Sequence, residues 1–256
     1  MLTSPKNPKV AAVARLKKRA FRDQDRRFMV EGAQGVSEAL QAGRLLTLYA
    51  IDPLDPLAVS ARERGVEVVE VADELLRRLT ATITPQGVLG VAPFVDVDLG
   101  SLPVDGCIAV LHEVRDPGNA GTVLRSADAA GAGGVIFTDS SVDVYNPKTV
   151  RASAGSVFHL PVVRGVPTGE AIVGLRGTGR RVLAMDGHGD RDLYSVDLGG
   201  PIAFVFGNEA HGLPDEVLRA ADVTVRVPHA GKAESLNLAT TTAVVLFEVV
   251  RQRDPA

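Results

Sequence analysis

From residue 107 onward the chain repeats one device: a short, almost unbroken apolar run that ends in a polar or glycine-bearing loop. The runs are CIAVLHEV, GVIFTD, FHLPVV, RVLAMD, IAFVFG and DVTVRVP. A strand with one face in water alternates apolar and polar residues, whereas a strand covered on both faces does not. The runs therefore predict an α/β architecture with a mostly parallel sheet and helices on both faces. In such sheets ligands sit at the carboxyl ends of the strands. The loops that follow the runs are thus the places to look for chemistry.

Upstream the rhythm is weaker but of the same kind. PKVAAVARLKKRA (8–20) has helical apolar spacing with a basic face. FMVEG, LLTLYAID, VEVVEV and GVLGVAPF are strand candidates. GVSEALQAG, PLAVSARERG and DELLRRLT between them are helix candidates, two of them closed by Gly43 and Gly65. The acidic, Gly- and Pro-containing stretch VDVDLGSLPVDG then interrupts the pattern. The expected division is a small α/β domain over 1–95, a linker at 96–103 and a larger α/β domain over 104–256.

Charge is unevenly spread. In residues 1–27 nine basic residues stand against Asp23 and Asp25, a local charge of +7 in a chain of net charge −3, so the remainder carries −10. A basic arm on an acidic body points to contact with a polyanion such as nucleic-acid phosphate, and makes Lys17, Lys18, Arg19, Arg22, Arg26 and Arg27 the candidate RNA contacts. Read without a partner, the same arm is a solvated amphipathic helix. Aromatics make up only 4 % and Trp is absent, which argues against a base-stacking platform for single strands. The polar opening MLTSPKNPKV has no apolar leader segment, and no apolar run approaches the ~18 residues of a membrane helix. With Cys107 the only cysteine, a cytoplasmic protein without a disulfide or thiolate metal cluster is expected.

Five loops could carry chemistry. HEVRDPGNAGTVLRSADAAGA brings Asn119 to a helix start, as a cap by general preference, and Arg125 two turns in, a guanidinium among small residues that wants a carboxylate or phosphate fork unless it lies at the surface. SSVDVYNPKTVRASAGSVFHLPVV is polar and cationic, with Tyr145, Asn146, Lys148, Arg151 and Ser153. DGHGD follows RVLAM, and its glycines allow a close backbone approach. In FVFGNEAHGL a strand runs directly into Gly207, Asn208 and Glu209. In VPHAGKAESLNLATTTAVVLFEVV a loop becomes a helix at Ser235 and Asn237; Ser235 reads as the N-cap and Asn237 as a first-turn residue of poor helix propensity. The glycine fingerprints for dinucleotides and for phosphate loops are missing, the five His residues show no metal-ligand spacing, and no nucleophile elbow occurs. No metal is expected.

In order and in strand context, NAGTVLRSADAAG, FVFGNEAHGL and VPHAGKAESLNLATTTAVVLFE resemble the three motifs of the SpoU/TrmH branch of the SPOUT RNA methyltransferases, over residues of about 104–256. SPKNPKVAAVARLKKRAFRDQDRRFMVEGAQGVSEAL resembles the small substrate-binding domain that precedes the catalytic domain in rRNA-modifying members. The resemblance implies a SPOUT α/β-knot with a deep trefoil knot, a homodimer, and S-adenosylmethionine as cofactor. It implies methylation of a ribose 2'-hydroxyl in 23S rRNA, with a tRNA enzyme or a non-catalytic RNA-binding assembly factor as rival readings. By the same carry-over Gly207, Val227, Pro228, Ser235 and Leu236, with Met185 and Gly187, would hold the cofactor, and Arg125, Asn119, Glu209, Ser235 and Asn237 would form the catalytic group. Arg125 is expected to orient the hydroxyl or clamp a phosphate from the other subunit, and Glu209 to accept a proton or orient Arg125. His229 stands where the family usually has an apolar residue.

Overall fold

The computed structural model describes residues 1–253 apart from Ile83. They form two compact units: Met1–Val95 with Asp143–His159, and Asp96–Val142 with the residues from Leu160 onward. Among the described residues no helix is long and apolar enough to cross a membrane.

The first unit contains α1 (Pro8–Arg15), α2 (Arg19–Asp25), β1 (Arg27–Glu31), α3 (Ala33–Gln41), β2 (Thr47–Ala50), α4 (Pro56–Glu63), β3 (Glu67–Glu70), α5 (Asp73–Leu79) and β4 (Val88–Pro93). Its sheet runs β1-β4-β2-β3, with β4 antiparallel to both neighbours and β2 parallel to β3. Val10, Val13 and Leu16 join Leu75, Leu76, Leu79 and Leu89 in one buried cluster. Full burial of one such side chain is worth about 1.5–3 kcal/mol, which explains why the arm is anchored at its apolar face. The single helix expected over 8–20 is in fact two. Leu16 is pulled into the core, and Arg22 Nη1 donates to the carbonyls of Leu16 (2.8 Å) and Lys17 (2.9 Å), satisfying backbone acceptors where the chain leaves α1. Asn7 caps α1 by accepting from the Lys9 N–H.

The second unit contains β5 (Cys107–Leu111), α6 (Pro117–Ala129) and β6 (Gly134–Thr138). The chain passes through α7 (Pro147–Ala152) in the first unit, then returns as β7 (Val162–Val166), α8 (Thr168–Gly177), β8 (Arg181–Met185), β9 (Arg191–Asp192), β10 (Ile202–Phe206), α9 (Asp215–Ala220), β11 (Val223–Arg226) and α10 (Leu238–Arg253). All seven strands are parallel, in the order β7-β6-β5-β10-β8-β11-β9. Every residue of β5, β6 and β10 is buried, as unbroken apolar runs require. FHLPVV is only half a strand. Pro161 precedes the ladder, and Phe158 lies in a 3-10 turn of the first unit, stacked on Phe28 at 5.8 Å.

The sequence places 143–159 with the larger domain, yet this segment packs into the first unit. Arg22 and Asp143, both buried, form an ion pair (Nη2 to Oδ2 2.6 Å, Nε to Oδ2 3.0 Å). The Tyr145 ring sits 4.6 Å from Phe28 and 3.9 Å from Phe94. Arg151 Nη1 donates to Glu31 Oε2 at 3.1 Å, and His159 Nε2 lies 3.2 Å from Glu38 Oε2. Local composition shows a polar, cationic loop; only the pairing partners, 120 or so residues away in the chain, reveal which body it joins.

Candidate active site

The second unit carries a cavity of about 470 Å³ at the carboxyl ends of β8 and β10, closed by the loop before α10. That volume is within the ordinary range for cofactor pockets. Met185, Phe206, Val227 and Leu238 are its buried apolar residues, while Gly207, Ser235 and Leu236 line it from the loops.

Three side chains from three elements meet at its edge. Glu209, just past β10, accepts from the Arg115 N–H (3.0 Å), the Asp116 N–H (3.1 Å) and Asn119 Nδ2 (3.1 Å). Asn119 Oδ1 in turn accepts from Asn237 Nδ2 at 3.0 Å. Asn237 Oδ1 accepts from the N–H groups of Ala239 (2.9 Å) and Thr240 (3.3 Å), which makes Asn237 the residue that caps α10. This corrects the expectation that Ser235 is the cap: Ser235 lies outside the helix, exposed at the cavity wall. Asn119 is likewise not a cap. Asp116 holds that place, accepting from the Asn119 N–H at 2.8 Å, which leaves the Asn119 amide free to bridge Glu209 and Asn237.

Partial burial pushes the Glu209 carboxyl up. The hydrogen bonds from the Arg115 N–H, the Asn119 side chain, its own backbone N–H and the Asp116 N–H together outweigh that effect and hold it below the ordinary Glu value. A carboxylate so occupied is a weak base and a firm anchor, so the geometry favours orientation over proton acceptance.

Gly207 is required by space. A Cβ there would run into the backbone of Gly212 and Leu213, because Asn208 and Gly212 pair back to back (3.0 and 2.9 Å) to close the loop. Asn208 Nδ2 also donates to the Glu113 carbonyl at 2.7 Å, tying this loop to the end of β5, where Glu113 itself takes a left-handed φ of 48°.

Of the residues singled out from sequence, Asn119, Met185, Gly187, Gly207, Glu209, Val227, Ser235, Leu236 and Asn237 line the cavity. Pro228 does not, and its side is exposed beside Val227. Arg125 lies on the exposed side of α6 and is absent from the cavity of its own chain. Asp186, Glu234 and Thr241 line it without having been singled out. The backbone donors of Arg115 and Asp116 were equally missed; the only local signal was the Asp-Pro step that starts α6.

In the basic arm, Lys18, Arg19, Arg26 and Arg27 are exposed. Lys17 is exposed along its stem while its ammonium donates to the Arg78 carbonyl at 2.7 Å, and the Arg26 guanidinium rides over the Phe94 ring at 4.6 Å. Arg22 has to be removed from the candidate RNA contacts: it is 3 % exposed and paired with Asp143, so its charge is spent inside the fold.

A cavity at the carboxyl ends of an all-parallel sheet, walled by loops that follow the strands, defines an α/β protein with a small-molecule site in the place where such sheets bind their ligands. The comparisons with known proteins specify which. Residues 106–247 match the SpoU rRNA Methylase family, more than half of the chain, and the protein belongs to that family of methyltransferases. Residues 7–90 match the MRM3-like substrate binding domain. The chain is 37 % identical over 238 residues to a 23S rRNA (uridine(2479)-2'-O)-methyltransferase of Streptomyces viridochromogenes, covering 88 % of this chain and 83 % of that protein. It is 29 % identical to the Bacillus subtilis 23S rRNA (guanosine(2553)-2'-O)-methyltransferase RlmP, over 97 % and 98 % of the two chains. Among solved structures, an AdoMet-bound rRNA methyltransferase from Sinorhizobium meliloti superposes with a TM-score of 0.89 at 36 % identity, covering 100 % of this chain and 98 % of that one.

Proposed function

We propose that the protein transfers the methyl group of S-adenosylmethionine to a ribose 2'-hydroxyl of 23S rRNA. The observation that carries this reading is the linked set Glu209, Asn119 and Asn237 at the edge of a cavity of about 470 Å³, in a chain whose full length matches rRNA ribose methyltransferases. The bound cofactor would supply an already activated methyl group on a sulfonium. What the protein adds is position: a hydroxyl held in line and a route for its proton.

The donor set fits such a cofactor. Gly207 presents only backbone to the cavity wall, and Met185, Val227 and Leu236 provide apolar surface for an adenine ring. Glu209 holds the turn at the start of α6 through two backbone N–H groups and turns the Asn119 amide toward Asn237, so the three loops share one geometry. Arg125, with its fork free of its own chain's cavity, acts on the partner's site as hydroxyl orienter or phosphate clamp. Its place on α6 and the half-exposed Phe247 of α10 support a homodimer formed through these packed helices. The trefoil threading belongs to the same reading: β10 lies between β5 and β8, and α10 returns onto α6 and β5. Lys18, Arg19, Arg26 and Arg27 offer phosphate contacts on the unit that matches a substrate-binding domain, and a cytoplasmic site of action follows from the substrate.

Labelled-methyl transfer to deproteinised rRNA and tRNA, followed by nucleoside analysis, tests the proposal. A 2'-O-methylated nucleoside from 23S rRNA, lost in Arg125→Ala, is the expected result. Cofactor binding without transfer to any RNA or ribosomal precursor would overturn it.

A further inference from the structure

The charges around the cavity are one-sided. Asp186 follows β8, Glu209 follows β10, and Glu234 precedes α10, so each of the three loops contributes a carboxylate to the wall. No Lys or Arg lines the cavity among the described residues; His229 is the only basic side chain there. Asp186 Oδ1 accepts from the His188 N–H at 2.7 Å, and neither Asp186 nor Glu234 has an ion-pair partner among the described residues. Lys232, two residues from Glu234, is exposed and lies outside the lining.

This matters because methyl transfer changes the charge of the occupant. The S–CH3 bond breaks, its electron pair stays on sulfur, a C–O bond forms, and the hydroxyl proton leaves. A sulfonium thereby becomes a neutral thioether, and the occupant loses one unit of positive charge. A field from carboxylates acts on that difference even without contact, and more strongly where the cleft excludes solvent.

We infer that Asp186 and Glu234, together with Glu209, make the cavity selective for the cationic cofactor over its neutral product, so that the transfer itself loosens the spent cofactor. The inference rests on the assignment of this cavity to S-adenosylmethionine and goes beyond it by assigning a discriminating role to two residues that the sequence reading did not single out: Asp186, outside the quoted motifs, and Glu234, within the third.

The test is calorimetric titration of the full-length protein with S-adenosylmethionine and with S-adenosylhomocysteine, for wild type, Asp186→Asn, Glu234→Gln and the double variant, at low and high salt. Wild type is expected to favour the methyl donor by about tenfold, each substitution to narrow the ratio about threefold, and salt to narrow it further. Affinity for S-adenosylhomocysteine should stay within about twofold across the variants, which also reports an intact site. A ratio near one in wild type, or one unmoved by the substitutions, overturns the inference and leaves the cofactor assignment standing. Parallel loss of both ligands in the variants also overturns it, by making the carboxylates structural. Failure of wild type to bind either ligand removes the cofactor assignment itself.

Discussion

Glu209 shows how much one side chain's surroundings decide its work. Isolated in a turn it would be a free carboxylate; here three groups beyond its own loop hydrogen-bond to it. Its folded-state value lies below the unfolded one, so its contribution to stability is present above about pH 4.5 and is lost as pH falls through the depressed value. Urea titrations of wild type and Glu209→Gln should therefore differ by a constant amount from pH 5 to 8 and converge in more acidic buffer. Convergence at high pH instead would contradict the sign. Asn237→Ala should remove the α10 cap, at about 1 kcal/mol of stability. By releasing Asn119 it should also lower turnover about a hundredfold, as a misplaced reacting geometry does. Asn237→Asp, which keeps the cap oxygen but not the Nδ2 donor, should restore stability without restoring turnover; equal recovery of both would deny the link to Asn119.

At the scale of elements, the segment Asp143–His159 is the instructive piece. It is held in the first unit by the buried pair Arg22–Asp143, by Tyr145 among Phe28 and Phe94, and by Arg151–Glu31. Removing one partner of a buried pair leaves a charge without compensation and typically costs about 3–5 kcal/mol. Arg22→Ala and Asp143→Ala should each destabilise by that order, while the double variant loses much less than the sum, as a double-mutant cycle by denaturant unfolding would read out. Additive losses would show that the two side chains act separately. Exposed Lys18 and Arg27 should behave differently: Lys18→Ala with Arg27→Ala leaves stability within about 0.5 kcal/mol, while RNA affinity falls and its salt dependence becomes shallower.

For the whole molecule, the position of Arg125 outside its own chain's cavity sets a testable requirement. If the guanidinium serves a partner's site, Arg125→Ala and Gly207→Ala should each be inactive as pure proteins. Mixed in equal amounts and re-annealed, they should regain about a quarter of the wild-type turnover, and isolated heterodimers about half, because one of the two sites in each mixed dimer is then complete. No recovery from heterodimers isolated by two tags would place Arg125 elsewhere in the reaction.

What the chain's sequence determined by itself is the local and the periodic. Unbroken apolar runs specified strands buried on both faces, because partner layers must cover them, and marked the loops that follow, those after CIAVL, RVLAM and IAFVF among them, as the places to look for a ligand. Motif order pointed to the family, and Gly207 and Asn237 stood out because small or helix-averse residues at element ends need a reason. Only the tertiary structure decided that Asn237 rather than Ser235 caps α10, that Asp186 and Glu234 face the cavity, and that Arg22 is a strut and not a phosphate contact. Each of those facts depends on a partner far away in the chain or on a side chain's direction, and hydrophobic periodicity carries no record of either.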